Sequence, residues 1–458
     1  MKRKSRFPLF LTLGLLLGAA FWLHDTKELD KIAPQIDAPE KVFWNFQEPL
    51  KISLKDRNGI RNYRLYELRN GERNLLESVD LDGSKQQVML EIPAPKNATS
   101  TPKSPLEFEI ESTDRSWWNF FKGNTATHKI TAIIDTKRPI LRLIAHSYGI
   151  TKGGSALVIF RAEDEFLKSI QVSNGKDNFS AKPFYKEGYY AALIAWPTTQ
   201  DEFNASIRAI DLAGNLTVSN INFVRTNKNY RQSQLKLKDS FIDGKISALI
   251  QEINERALES FENGVEKFKY INEEVRASNE QIIAQISRKA AAGNALGAEF
   301  APLPFYPLRH AAVVANFGDH RFFEYGGKIV SESHHLGLDL ASVKNAPIFS
   351  TNNGVVLFTG FLGIYGNIVL IDHGLGLVTL YAHMSEINVQ KGESVAAGTI
   401  IGKTGISGLA LGDHLHFGIV VQGKEVSCIE WMDARWIKEN ILDVLARGRN
   451  FIDSQGVK

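Results

Sequence analysis

Two short stretches alternate so strictly that they constrain what the last third of the chain can become. In "SESHHLGLDLAS", residues 331–342, Leu336, Leu338 and Leu340 fall on one parity, and His335, Gly337 and Asp339 on the other. Successive side chains of a strand point to opposite faces. One face is therefore apolar enough to bury, and the other carries an imidazole and a carboxylate. His334 falls on the leucine parity at the strand's entry and is the poorer partner for Asp339. In "DHLHFGIV", residues 413–420, Leu415, Phe417 and Ile419 alternate against His414, His416 and Gly418. Either stretch alone also reads as a half-buried strand with a wet polar face. Both in one region make that bland reading hard to sustain.

At 458 residues the chain is too long for one ordinary domain, and about three or four are expected. The net charge of +3 is small, with no basic stripe, so nucleic acid is not an expected partner. The single cysteine, Cys428 in "EVSCIE", excludes an intramolecular disulfide framework and a cysteine-based zinc ribbon. It reads as a small apolar core residue. At the N-terminus a basic tip, residues 1–6, precedes an uncharged run from Phe7 to Leu23 and then "HDTKELDK". This pattern predicts an export signal with the basic tip in the cytoplasm. The run is slightly short of the roughly 20 residues of a bilayer span. Phe21 and Trp22 suit an interfacial anchor. The reading is an uncleaved transmembrane anchor at 7–23, single-pass in the inner membrane, with the bulk of the chain in the periplasm.

Residues 30–226 read as β-structure. Alternating segments such as "PLKISLKD", "LEFEIES", "SALVIFRA" and "NASIRAIDLAGN" are separated by turn signals. "KISLKDRNGIRNYRLY" matches "LVIFRAEDEFLKSIQV" in pattern, and "FEIESTDRSWWNFFKGN" matches "ASIRAIDLAGN". This predicts a duplication into two immunoglobulin-like β-sandwich modules, 30–138 and 139–226. The Asp211–Asn215 turn reads as an Asx-rich strand connection rather than a calcium loop. Within a helical segment, 227–300, apolar residues from Ile242 to Ile286 recur at threes and fours. They predict one long amphipathic helix or a hairpin broken near Asn263-Gly264. Its stripe must bury against a second copy, the β-modules or the rim of a catalytic groove. The segment is thus a stalk, a dimer contact or a lid, and protein partners or self-association would use it or the β-modules. "AAAGNALGAEFAPLPFYP" then marks a boundary.

Eight of the eleven histidines lie between His310 and His416, in a region of short strands and glycine turns. A hydrolytic zinc site takes three protein ligands and leaves the fourth position to water. His335, Asp339 and His416 supply such a set. His383 in "YAHM" and His414 in "HLH" are then available for acid–base work.

The motifs "HLGLDLAS", "YAHM" and "GDHLHFGI", with the glycine-marked frame between them, resemble the three signatures of the lysostaphin/LytM-type zinc metallopeptidases. The resemblance covers about residues 308–425. It implies a LytM-like all-β peptidase domain (a duplicated hybrid motif) at 301–430, followed by a C-terminal helix and tail at 431–458. It implies one Zn2+ held by His335, Asp339 and His416, and catalytic assistance from His383 and His414. His310, His320, His334 and His373 match no functional position. The implied substrate is peptidoglycan, with hydrolysis of a cross-link or stem peptide by an endopeptidase or carboxypeptidase. The module order is weakly similar to Gram-negative wall-trimming endopeptidases that set cell shape. The whole chain is expected to be mainly β. Two other classes compete: a non-enzymatic LytM-like regulator of another wall hydrolase, and a lipoyl-type carrier suggested by "VQKGESVAAGTIIGKTG". The carrier would need a modified lysine at a hairpin tip, and Lys403 does not sit in one.

Overall fold

The computed structural model describes residues 29–94, 105–292 and 300–455. The chain is mainly β, as expected. It divides into two compact units, one running to Arg138 and including Ile210–Leu216, the other comprising Pro139–Ala209 and the chain from Thr217 onward.

In the first unit a three-stranded sheet and a five-stranded sheet share one apolar core, which includes Trp44, Ile52, Leu54, Leu65, Phe108 and Ile130. Two Asp–Asn clamps recur in this unit. Asp114 accepts hydrogen bonds from the backbone N–H and the Nδ2 of Asn124, both at 2.7 Å, and that Nδ2 also donates to the Asp30 carbonyl. Asp211 holds Asn215 the same way, both bonds at 2.8 Å, and Asn215 Nδ2 reaches the Asp135 carbonyl. Each clamp satisfies buried polar groups within the chain.

The second unit contains a large sheet whose strands run Ala312–Ala315, Leu338–Ala341, Leu415–Val421, Leu377–Met384, Asn367–Asp372, Gly354–Phe361 and Ser394–Val395, with Lys424–Val426 beside Leu415–Val421. Leu338, Leu340, Leu415, Phe417 and Ile419 face one core. Cys428 sits in that core, where burial pushes its thiol up to about 12. The helix Asp443–Gln455 packs Val444, Leu445 and Ile452 into the same core, against the strands Ile140–His146 and Ser155–Glu163.

The apolar stripe of the helical segment has found its partner. After a strand at Gln232–Lys236 come two helical arms. The first arm runs from Asp239 to Ile253, through a π-turn, and stops at Asn254, whose left-handed φ of 55° suits a helix C-terminus. The second starts at Asn263, whose side chain accepts from the Glu266 N–H, and continues to Ala292 through a π-turn at Tyr270–Val275. Ile246, Leu249, Ile250, Phe268, Ile271, Val275 and Ile283 bury against Ile368, Leu370, Val378, Leu380 and Val420 of the large sheet. The hairpin is therefore part of the large sheet's packing, and neither a free stalk nor a second copy is needed to cover its stripe.

The expectation of a single-pass inner-membrane chain is corrected. Among the described residues no helix is long and apolar enough to cross a membrane. The longest α-helix, Arg276–Ala292, has 17 residues and carries Arg276, Glu280, Arg288 and Lys289, whereas a span needs roughly 20 mostly apolar ones. The stretch 7–23 on which that expectation was placed lies outside the described residues.

Phe268 is 1% exposed in the core that the helical hairpin shares with the sheet, against Phe241 and Phe323. Phe268→Ala is expected to lower the unfolding free energy of the second unit by about 3–5 kcal/mol, read by urea denaturation. A loss below about 1 kcal/mol, the range of exposed substitutions, would show that the stripe is not buried there.

Candidate metal centre

Strand pairing assembles the centre. Leu338–Ala341 lies antiparallel to Leu415–Val421 with Asp339 directly opposite His416. Directly paired residues share a face, so carboxylate and imidazole stand side by side. His335 follows immediately on the strand Lys328–His334 and is brought in from that hairpin's end. His335 Nε2 lies 3.0 Å from Asp339 Oδ1 and 3.1 Å from His416 Nδ1, and His416 Nδ1 lies 2.9 Å from Asp339 Oδ1. The triangle is fixed from behind. His335 Nδ1–H donates to the Asn316 carbonyl at 2.8 Å, which commits the tautomer and leaves Nε2 for a ligand. Gly337, on the same parity as His335 and Asp339, has no room for a side chain, because a Cβ there would fall against His416 Nε2 and Cε1. That close approach was not read from the sequence, although the glycine's parity was visible in it.

All three side chains are buried or nearly so, with His335 6%, Asp339 14% and His416 9% exposed. Burial by itself would raise the Asp339 carboxyl. The ring nitrogens of His335 and His416 beside it more than reverse this, and it is held below the usual carboxylate range. Burial pushes His416 down to about 4. Two neutral imidazole nitrogens and one carboxylate oxygen converging on a point form a donor set that suits zinc, whose ligand atoms at roughly 2.0–2.2 Å from a tetrahedral ion stand little more than 3 Å apart.

His383 and His414 are also brought to this place. Their rings are 4.8 Å apart, the His383 ring is 5.8 Å from that of His416, and His414 Nε2 is 3.7 Å from Asp339 Oδ1. Strict alternation would send His383 to the core side with Tyr381. Instead its φ is +63°, a conformation uncommon outside glycine. The break in alternation lets Tyr381 and Met384 both enter the core and leaves His383 beside His416. His383 Nδ1–H donates to the Ser407 carbonyl, and His414 Nδ1–H to the Gly412 carbonyl, both at 2.8 Å. Each ring thus keeps Nε2 free. Burial, then the neighbouring His416 and His414, hold His383 neutral by pushing it down to about 3.

The remaining histidines are elsewhere. His334 stacks on His320 at 4.2 Å, paired across the hairpin. His373, half-buried, bonds the Asn353 carbonyl and Thr379. His310 occupies a turn with φ of 51°.

Two neighbouring histidines beside three side chains that could hold a metal ion, on an antiparallel sheet, form a metallopeptidase-like site. Comparison with known proteins agrees: residues 333–428 match the profile described as Peptidase family M23, and this segment is a domain of that family. The chain is 38% identical over 96 residues to the peptidoglycan DD-endopeptidase ShyA of Vibrio cholerae, covering 21% of this chain and 22% of that protein. It is 39% identical over 93 residues to the DD-carboxypeptidase/endopeptidase Mpg of Neisseria meningitidis, covering 20% of this chain and 21% of that one. The chain thus spans about a fifth of the length of these curated relatives. The catalytic domain of lysostaphin from Staphylococcus simulans is 25% identical, with a TM-score of 0.23, over 27% of this chain and 92% of that domain.

His335→Ala, Asp339→Ala and His416→Ala should each lose bound zinc, measured by elemental analysis of purified protein, while His334→Ala keeps it. Gly337→Ala should also lower zinc occupancy, by displacing the His416 ring. Full occupancy in the His335 variant with loss in the His334 variant would reverse the ligand assignment.

Proposed function

We propose that this chain is a zinc-dependent peptidoglycan peptidase that hydrolyses cross-link or stem peptides of murein in cell-wall remodelling and, on its module order, in setting cell shape. The observation that carries this reading is the convergence of His335, Asp339 and His416 with His383 and His414 in a peptidase family M23 segment. Relatives of that segment named as DD-endopeptidases supply the substrate class. His335, Asp339 and His416 would hold the ion, which when bound supplies Lewis acidity and activation of water for hydrolysis.

The chain's own residues do the rest. The Asn316 carbonyl orients His335, and Asp339 Oδ1 lies against one ring nitrogen of each of His335 and His416. His383 and His414, pinned through Nδ1 to backbone carbonyls, each present Nε2 at the same place. One would accept a proton from the attacking water at Nε2, and the other, once protonated at Nε2, would deliver a proton to the leaving amine, the first then returning its proton to solvent. Because both Nδ1 atoms are already committed, neither ring needs to reorient between the two steps. The direct test is incubation of purified murein with the full chain, with and without a chelator, and mass analysis of the released muropeptides. Chelator-sensitive loss of cross-linked species is expected. Intact murein after treatment with zinc-replete protein would favour a non-enzymatic regulator.

His383→Ala and His414→Ala should retain zinc yet lose turnover by about 10²–10⁴-fold, as expected for removal of a general acid or base. Near-normal turnover in either zinc-replete variant would remove that residue from the mechanism.

A further inference from the structure

His335 lies just past the end of its strand, and a loop at residues 316–319 holds it at three points. The Asn316 carbonyl accepts from His335 Nδ1–H at 2.8 Å. The Gly318 N–H donates to the His335 carbonyl at 2.7 Å, and the His335 N–H donates to the Asp319 carbonyl at 2.9 Å. Where this loop stands therefore decides where His335 Nε2 points. The loop precedes the family segment 333–428, and what holds it lies further upstream still.

Tyr230 is the centre of that hold. Its ring lies so close to Gly318 that a Cβ there would fall on the ring atoms Cγ, Cδ1 and Cε1. Buried Phe317 meets the same ring edge-on at 5.9 Å. At its far end the Tyr230 hydroxyl donates to the Lys152 carbonyl at 2.7 Å and occupies the place that a Cβ on Gly153 would take. Gly318 and Gly153 both have a φ of +83°, a conformation that glycine adopts without steric cost. Burial, then the Glu430 carboxylate, push the phenol above its ordinary value, so the hydroxyl stays a donor.

Both ends of this brace are anchored. The Gly153 carbonyl accepts from the Ser427 N–H at 2.7 Å, and the Gly153 N–H donates to the Trp196 carbonyl at 2.6 Å. Beside Tyr230, the Arg231 carbonyl accepts from the His320 N–H at 2.9 Å, and Ser233 Oγ donates to Asp319 Oδ1 at 2.7 Å. The strand Gln232–Lys236 then runs parallel to His320–Tyr325. A tyrosine gripped between two glycines leaves no gap to absorb a displacement, and close-packed interiors transmit strain. Groups that orient a metal-ligating imidazole tune its affinity for the ion.

Resting on the reading of His335 as a metal ligand, we propose that Tyr230 is a positioning residue for that ligand: spanning from the Lys152 carbonyl to Gly318, it sets the loop at 316–319 and with it the direction of His335 Nε2. The turn that carries Lys152 belongs to the β-structure of residues 139–226, so that region contributes to metal affinity as well as to spacing.

The experiment measures the zinc dissociation constant of the full-length protein by competition with a chromophoric chelator, together with its melting temperature and the visible spectrum of its cobalt(II) form. Tyr230→Leu should bind zinc roughly tenfold to a hundredfold more weakly, the range for groups that orient a metal ligand, and should shift the cobalt bands. Tyr230→Phe keeps the ring on Gly318 but loses the bond to Lys152, and should show a smaller loss in the same direction. Phe160→Ala is the control for stability alone. Its ring is buried and stacks on Tyr190, so the melting temperature should fall while zinc affinity and the cobalt spectrum stay as in the wild type. Wild-type affinity and spectrum in both Tyr230 variants overturn the positioning role, and so does a loss of affinity in Phe160→Ala as large as in Tyr230→Leu. If Tyr230→Leu does not fold, Tyr230→Phe decides alone: weaker zinc binding supports the role and unchanged binding overturns it. A wild-type protein that binds no zinc overturns the ligand reading itself, and the positioning role with it.

Discussion

The pairing of Asp339 with His416 across two antiparallel strands is the constraint on which the rest of the site depends. A carboxylate and an imidazole opposite one another on a sheet cannot be separated without slipping the register, and a one-residue slip would send both side chains to the other face. The apolar face behind them, with Leu338, Leu340, Leu415 and Phe417, makes such a slip expensive. The neighbouring strand Leu377–Met384 pairs Ala382 with His416 and so delivers His383 next door. His335 is the one ligand from outside this ladder, and it is fixed independently, through the Asn316 carbonyl and the backbone bonds that join residues 318 and 319 to it.

The same sheet face must do two incompatible things. Val378, Leu380 and Val420 need an apolar cover, while His416, two pleats on from Val420, needs a polar, accessible setting. The helical hairpin resolves the conflict by covering the first group and stopping short of the second. Its polar residues lie at that boundary: Asn272 and Asn279 bond the β-hairpin and the Tyr365 turn. Lys245 of the first arm donates to the Ile406 carbonyl at 2.9 Å, next to Ser407, whose carbonyl orients His383. An amphipathic element that looked like a stalk in sequence thereby braces the turns next to Tyr365 and Ser407.

Much of the site was legible because the strand period is simple. Parity alone placed His335 with Asp339 and set His334 apart, and the structure puts His334 against His320 instead. His383 was legible as an available acid–base histidine and by resemblance but not by parity, since its left-handed backbone breaks the alternation on which parity arguments rely. The apolar stripe predicted helix, and the sequence even marked the break near Asn263, yet nothing local could say which surface would bury it. The predicted anchor and the location drawn from it rested on composition alone. The described helices give that location no support.

The central claim is that these three side chains hold one zinc ion. X-ray absorption at the zinc edge, on the full chain purified without chelator, tests it most directly. One zinc per chain is predicted, with two imidazoles and a carboxylate oxygen among its ligands and no sulfur. Substoichiometric zinc, or a sulfur ligand implicating Cys428, would contradict it.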